Sequence, residues 1–335
     1  MTHTKVPDEI FPITTFISEL PSSLVPQSLP SSSENGPVSR RLVIVGDVHG
    51  MRKSLEALLV KVGFDKGKGD HLILTGDLVN KGPDSPGVVD LAVKLGASAV
   101  RGNHDNAVLN AAAEIKATRD SLQQSGGLTG SQALPKNPEV DVPGDTLQDF
   151  KNPDKGASAT TGASMKHSAA TYTTALALST RQLDWLATLP LILRVKLPPN
   201  LTSPSPFGDT LIVVHAGLVP GIPLEAQDPH AIMHMRSLDR TPGDESELKP
   251  AEASGEEGWA MEWDRWQDKV ASKTTVIFGH DAKRRLQLGR YTIGLDSACS
   301  YGHRLSALVI TASDREIEHQ IIQVECADEP VPPTA

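Results

Sequence analysis

The stretch at 41–50, RLVIVGDVHG, constrains this chain more than any other. Leu42, Val43, Ile44 and Val45 form an apolar run that stops at Gly46. A short, unbroken apolar run bounded by glycine reads as a strand buried on both faces, as in a parallel sheet. Asp47 and His49 follow at once, and Gly50 closes the turn. Residues two apart in an extended chain point to the same side, so both side chains aim past the strand's C-terminal end. Open α/β sheets place their sites there. A carboxylate oxygen and an imidazole nitrogen aimed at one point suit a divalent metal. A plain turn, with Asp47 capping the next helix, fits the same residues. Later strand ends repeat the design and decide between the two.

Leu55, Leu58, Leu59 and Val62 recur at helical spacing, and Gly63 stops that helix. Leu72, Ile73 and Leu74 predict a second strand, with Asp77 just beyond it. A second helix spans 86–95, with Ser85 as cap and Pro86 at its first position. A third strand at 97–100 runs into RGNHD at 101–105. This alternation predicts an α/β fold with a parallel sheet. Helices are expected at 167–178 and 180–188, then strands at 191–195 and 211–214, the latter ending in His215. Asp228-Pro229 opens a short helix to about 235. Trp259, Trp263 and Trp266, at offsets of four and three, mark a helix face packed on the core. A strand at 275–278 ends in Gly279-His280. Strands at 290–295, 304–312 and 317–324 read as an antiparallel set on a second sheet. Residues 1–39, rich in Pro and Ser, read as a disordered leader, and the stretches at about 117–165 and 239–257 read as flexible insertions. The folded domain is then 40–327, with a tail at 328–335.

The balance of 32 Lys+Arg against 41 Asp+Glu gives a net charge of -9, which disfavours bulk binding to a nucleic-acid backbone. Any anionic substrate then needs metals and a few local cations. The two cysteines, Cys299 and Cys326, make no disulfide framework or zinc-finger spacing. No apolar run reaches the roughly 18 residues of a membrane span. The first residues lack a basic start followed by an apolar stretch. A cytoplasmic protein is the default expectation, with the vacuole as the alternative.

Five strand ends carry metal-competent residues: Asp47 with His49, Asp77, Asn103 with His104, His215, and His280. One buried histidine is commonly a satisfied core residue; convergence at five strand ends points to a shared metal site. Asp47, His49, Asp77, Asn103, His215 and His280 are too many ligands for one zinc with an open position. They suit two metals with Asp77 bridging, activating a hydroxide and holding phosphoryl oxygens. Imidazole, carboxylate and amide donors favour Mn, Fe, Zn or Co over calcium.

The series GDVHG, GDLVNKGP, RGNHD, VHAGL and FGHDA resembles the calcineurin-like metallophosphoesterases. Within them it is closest to the phosphoprotein-phosphatase superfamily and its diadenosine-tetraphosphatase-like (ApaH-like) branch, with a further likeness to fungal endopolyphosphatases. The resemblance covers about 41–325 apart from the insertions, and implies two mixed β-sheets packed together and flanked by helices. It assigns Asp47 and His49 to one metal, Asn103, His215 and His280 to the other, and Asp77 to both. It makes His104 the residue that protonates the leaving oxygen, or one that orients its neighbours. It makes Arg101 a grip on the substrate phosphate, with Arg236 as a second phosphate ligand or a solvated helix end. Protein phosphatases of the superfamily carry Asp then Arg where this chain has Asn80 and Lys81; Lys81 joins the phosphate-binding set, and Asn80 leaves His104 less basic than a carboxylate would. Asp105 replaces their usual glutamate. Asp296 and Tyr301 are either pocket residues or parts of a turn.

The expected activity is hydrolysis of phosphoanhydride or phosphoester bonds by a metal-bridging hydroxide. Polyphosphate or a dinucleoside polyphosphate is the first substrate class, and a phosphoserine/phosphothreonine protein the alternative. A scaffold that keeps the fold without the chemistry is the reading from another class.

Overall fold

The structure, a computed structural model, describes residues 9–26, 40–125, 166–197, 205–241, 244–312 and 316–332. Its first half supplies β1 (Ile17–Glu19), β2 (Arg41–Val45), helix α1 (Arg52–Val62), β3 (His71–Leu74), α2 (Ser85–Leu95), β4 (Ser98–Ala99) and α3 (Asn103–Ser125). Then come α4 (Ala169–Ala177), α5 (Thr180–Ala187), β5 (Ile192–Lys196), β6 (Thr210–Val214), α6 (Pro229–His234), β7 (Ser237–Thr241) and β8 (Asp244–Ala251). Helix α7 (Trp259–Gln267), β9 (Thr274–Phe278), β10 (Gln287–Leu288), β11 (Thr292–Gly294), β12 (Arg304–Ala312) and β13 (Ile317–Glu325) complete it.

The strands form a five-stranded sheet in the order β13-β12-β2-β3-β4 and a six-stranded sheet in the order β1-β5-β6-β9-β11-β10. The first strand explains the layering. Leu42 and Ile44 pack with Leu211, Val213 and Ile277 between the sheets, while Val43 and Val45 pack with Leu55, Leu58 and Val88 beneath α1 and α2. Alternate residues therefore face two apolar layers, which is why the run needs no polar member. Each fully buried Val, Leu or Ile is worth roughly 1.5–3 kcal/mol. The six-stranded sheet repeats the arrangement: Ile212, Val214, Val276 and Phe278 meet Ile232, Trp259 and Trp263 on its outer face. The α/β sandwich of two mixed sheets flanked by helices is thus present.

Within that frame the helix ends obey local rules. Gly63 closes α1 at φ 63° and Gly96 closes α2 at φ 68°, where side chains with a Cβ are strained. Asp84, not Ser85, caps α2, its side chain accepting the Gly87 N–H. Ser179 and Gln182 form a capping box at α5.

Four expectations need correction. Residues 9–26 are not a disordered leader: β1 pairs parallel with β5, and Phe11, Ile13 and Phe16 pack against the cores. Those apolar residues bury enough surface to hold a Pro/Ser-rich segment. Residues 239–241 and 244–251 are not a flexible loop but belong to the paired strands β7 and β8, which are ordered by their own ladder. The strand expected at 290–295 is not antiparallel on the sheet of β12 and β13; β11 pairs parallel with β9, where Ile293 joins the apolar layer between the sheets and Tyr291 the outer one. Helix α3 also runs to Ser125, into the expected insertion. The rest of that insertion, 126–165, and the leader residues 1–8 and 27–39 lie outside the described residues. No helix among the described residues is long and apolar enough to cross a membrane.

His71 couples this frame to pH. Burial, then the charge of Lys66, lowers it to about 4, and its Nε2 sits 2.9 Å from Ser98 Oγ on β4. The unfolded chain takes up a proton here near pH 6.5, whereas the folded chain resists until about 4. The contribution is complete above pH 6.5 and is lost as pH falls toward 4. Chemical denaturation from pH 7.5 to 4 should therefore show His71→Gln losing less stability over that window than the parent chain.

Candidate metal centre

Each sheet delivers its parallel strands to one edge, and the two edges coincide. Asp47 and His49 follow β2, Asp77 follows β3, Asn103 opens α3 after β4, His215 follows β6, and His280 follows β9. The chain turns sharply at these points. His49, Asp77, Asn80, Lys81 and His280 all have positive φ, between 46° and 73°. Non-glycine residues held there cost ~1–3 kcal/mol each, and such strain clusters at functional sites. The approach is also close: a Cβ on Gly279 would collide with Asp47 Oδ1, and one on Gly102 with Asp77 Oδ1.

All six side chains expected to ligate metal converge. Asp77 Oδ2 lies 3.5 Å from His49 Nε2 and 3.4 Å from His215 Nε2. His49 Nε2 lies 4.0 Å from Asp47 Oδ2. His215 Nε2 is 2.9 Å from Asn103 Oδ1. The His215 and His280 rings stand 4.9 Å apart. Ligands about 2.0–2.2 Å from a shared ion sit at such separations from one another. Asp77 belongs to two groups of candidate ligands, one with His49 and His104 and one with His215 and His280. Among the described residues it is the one member common to both groups.

Outer contacts aim these donors. His215 Nδ1 donates to the Thr75 carbonyl at 2.9 Å, and His280 Nε2 to the His234 carbonyl at 3.0 Å, leaving the other ring nitrogen of each for a metal. The His280 N–H spans Asp47 Oδ1 and Oδ2 at 3.1 Å each. Asp105, fully buried, accepts N–H bonds from Leu78, Val79 and Gly102, so it braces the Asp77 turn against the Asn103 turn. The sequence marked Asp105 only as a replaced glutamate.

The electrostatics are those of a site short of positive charge. Burial, then Asp296 and Asp77, raises Asp47 well above the carboxylate range. Burial also works to raise Asp77, yet the histidines, led by His215, hold it well below that range. Burial and Lys81 lower His49, and burial and His215 lower His280. Burial lowers His215 as well, but the Asp77 charge and hydrogen bond outweigh it and push His215 up to about 9. The neutral imidazoles of His49 and His280, the His215 ring beside Asp77 and the crowded carboxylates, with the buried Thr75 Oγ1 lacking a partner among the described residues, form a donor set that fits divalent cations.

The remaining candidates divide. His104 lies at the metal edge, its ring 4.9 Å from that of His49. Asn80 Nδ2 meets His104 Nδ1 at 3.1 Å, and the Lys81 N–H donates to Asn80 Oδ1 at 2.9 Å, which fixes the amide's orientation. His104 Nδ1 is therefore an acceptor. Burial brings the ring down to about 4, against the charge of Asp77. Lys81 Nζ lies 2.9 Å from His49 Nε2 and over the Tyr301 ring. Arg236 stands close enough to His280 to lower it, and donates to the Glu252 carbonyl at 3.2 Å. Arg101 does not reach the site. It is fully buried, its guanidinium donating to the carbonyls of Phe11 and Ala187 at 2.8 and 2.7 Å. The expected phosphate grip is instead a clamp on the N-terminal segment. Sequence reasoning missed this because the clamp's other half lay in the supposed leader. Asp296 is buried at the site, and Tyr301 borders it beneath Lys81.

Comparison with known proteins points to one family. Residues 40–304 match the family model described as calcineurin-like phosphoesterase. The zinc-dependent endopolyphosphatase of Saccharomyces cerevisiae is 27% identical over 300 residues, 87% of this chain and 82% of that protein. A symmetrical bis(5'-nucleosyl)-tetraphosphatase of Photorhabdus laumondii is 49% identical over 74 residues, 22% of this chain and 26% of its own. A solved structure assigned as a diadenosine tetraphosphatase superposes with a TM-score of 0.57 at 29% identity, covering 93% of this chain and 98% of its own.

A cation that takes His215 Nε2 as ligand must displace its proton. With His215 pushed up to about 9, that proton is present at neutral pH. Calorimetric titration with Mn²⁺ should show proton release, and affinity should rise with pH by about tenfold per unit below 9, the slope of one displaced proton. His215→Gln should flatten that slope.

Proposed function

The chain belongs to the calcineurin-like phosphoesterase family and is a metal-dependent phosphohydrolase, and from that premise we propose that it cleaves phosphoanhydride bonds at a two-metal centre, with polyphosphate or a dinucleoside polyphosphate as substrate. Asp47 and His49 would hold one divalent cation, Asn103, His215 and His280 the other, and Asp77 both. Mn, Zn, Fe and Co suit these donors. Such a pair supplies Lewis acidity and lowers the pKa of water. The rest is the chain's own work. Asp105 and the Thr75 and His234 carbonyls fix the ligand orientations. Lys81 and Arg236 border the metal ligands, beside His49 and His280 respectively. Both present charge to the non-bridging oxygens of the reacting phosphate.

The observation that carries the substrate class is the Asn80–His104 contact. A protonated His104 would have to turn an Nδ1–H toward the amide N–H of Asn80. The ring is thereby kept as a neutral acceptor. A serine or threonine alkoxide leaves readily only when protonated, and positioned acids are typically worth 10²–10⁴-fold in such steps. A phosphate leaving group departs as a stable anion and needs little of that help. The likeness to an endopolyphosphatase and to tetraphosphatases points the same way.

With Mn²⁺ or Zn²⁺ present, kcat/KM should be greater for long-chain polyphosphate or diadenosine tetraphosphate than for a phosphoserine peptide by about 10² or more. Asn80→Asp should narrow that gap by improving the peptide. Turnover of the peptide alone would overturn the reading. Asp77→Asn and His280→Ala should each abolish turnover; surviving activity would remove the two-metal assignment.

A further inference from the structure

Beside the metal centre lies a cavity of about 610 Å³ whose walls include Arg236, Lys283, Arg285, Tyr301 and His303, a size typical of ligand pockets. We propose that it is a subsite for the phosphates beyond the one being attacked, with Lys283 and Arg285 as its specificity-determining cations. This rests on the proposed anhydride chemistry and adds where the rest of the substrate lies.

Two contacts make the cavity continuous with the centre. Arg236 lines it and stands within electrostatic reach of His280. Tyr301 lines it too, and the Lys81 ammonium that lies 2.9 Å from His49 sits 5.4 Å from the Tyr301 ring centroid. The turn that follows His280 builds the far wall. Asp281 O accepts the N–H groups of Arg284 and Arg285 at 3.1 and 3.0 Å. The Asp281 carboxylate and the Gly255 carbonyl hold the Arg284 guanidinium, which keeps that arginine out of the cavity's service. Lys283 and Arg285 are exposed on the same turn. Arg285 donates to His303 Nε2 at 3.1 Å, so its guanidinium is oriented while His303 remains an acceptor. Thus one strand end carries a metal ligand, His280, and, three and five residues later, two cations.

The charge pattern selects the ligand. The walls carry Arg236, Lys283 and Arg285 against one carboxylate, Glu252, which lies 2.9 Å from His230. A cationic pocket in a chain of net charge -9 attracts an anion locally while the rest of the surface repels it. Spaced cations leading away from the reacting centre match a linear polyanion. The Tyr301 ring is tied to Lys81 and the His303 imidazole to Arg285, which leaves a nucleoside base little to stack on, so the phosphates of the chain are the recognised group.

The test uses the full chain and the exposed double variant Lys283→Ala/Arg285→Ala. In the first arm, metal is chelated and tripolyphosphate binding is measured by calorimetry. The variant should bind roughly five- to tenfold more weakly, the size expected for two solvent-screened charge pairs, with a shallower dependence on salt. In the second arm, with metal, KM for long-chain polyphosphate should rise by a similar factor while kcat/KM for an aryl phosphate stays unchanged. Diadenosine tetraphosphate should suffer less than long-chain polyphosphate; the reverse would assign the cavity to the nucleoside. Equal binding by the two chains, or an equal loss on aryl phosphate, would overturn the inference. Tripolyphosphate binding that depends on these residues without polyphosphate cleavage would uphold the subsite and overturn the proposed function. Cleavage indifferent to both substitutions would do the opposite.

Discussion

The His280 backbone N–H donates across the sandwich to the Asp47 carboxylate, 3.1 Å from each oxygen. Asp47 ends a strand of one sheet and His280 a strand of the other. This contact fixes the relative height of the two sheets at the edge where the site is built. His215 Nδ1, bonded to the Thr75 carbonyl, is a second tie of the same kind. If either sheet slid by one residue, about 3.3 Å, Asp77 would lose His215. The apolar layers set the spacing of the sheets; these few polar ties set their register with the precision that metal ligation demands.

Such a site is costly to the isolated fold. Five non-glycine residues in the left-handed region, four of them ligands or in contact with one, bend the chain where it would otherwise continue. Buried carboxylates crowd together, and burial discourages charge on the imidazoles that face them. Removing a charged partner from such a cluster leaves an uncompensated buried group, which costs more than the pair contributed. Divalent cations answer that imbalance directly.

Much of this was legible in the amino-acid sequence. The strand in RLVIVGDVHG and the six donors follow from an apolar run broken by a turn with polar residues at fixed spacing, and each lies at a strand end as expected. What the sequence hid was set by contacts between distant segments. The motif resemblance makes Arg101 a phosphate grip, but only the fold shows Phe11 and Ala187 closing over it. Residues 9–26 read as part of a Pro/Ser-rich leader; their order comes from Phe11, Ile13 and Phe16 packing against cores built by distant segments. Lys283 and Arg285 carry no motif at all. Their meaning depends on the turn that places them beside Tyr301 and Arg236.

The central claim is that Asp77 is shared between two cations held by side chains from five strand ends. Anomalous diffraction from crystals of the full chain loaded with Mn²⁺ tests it most directly. The account requires two peaks, one against Asp47 and His49 and one against Asn103, His215 and His280, with Asp77 touching both. A single peak, or two peaks with Asp77 outside the coordination of either, would contradict it.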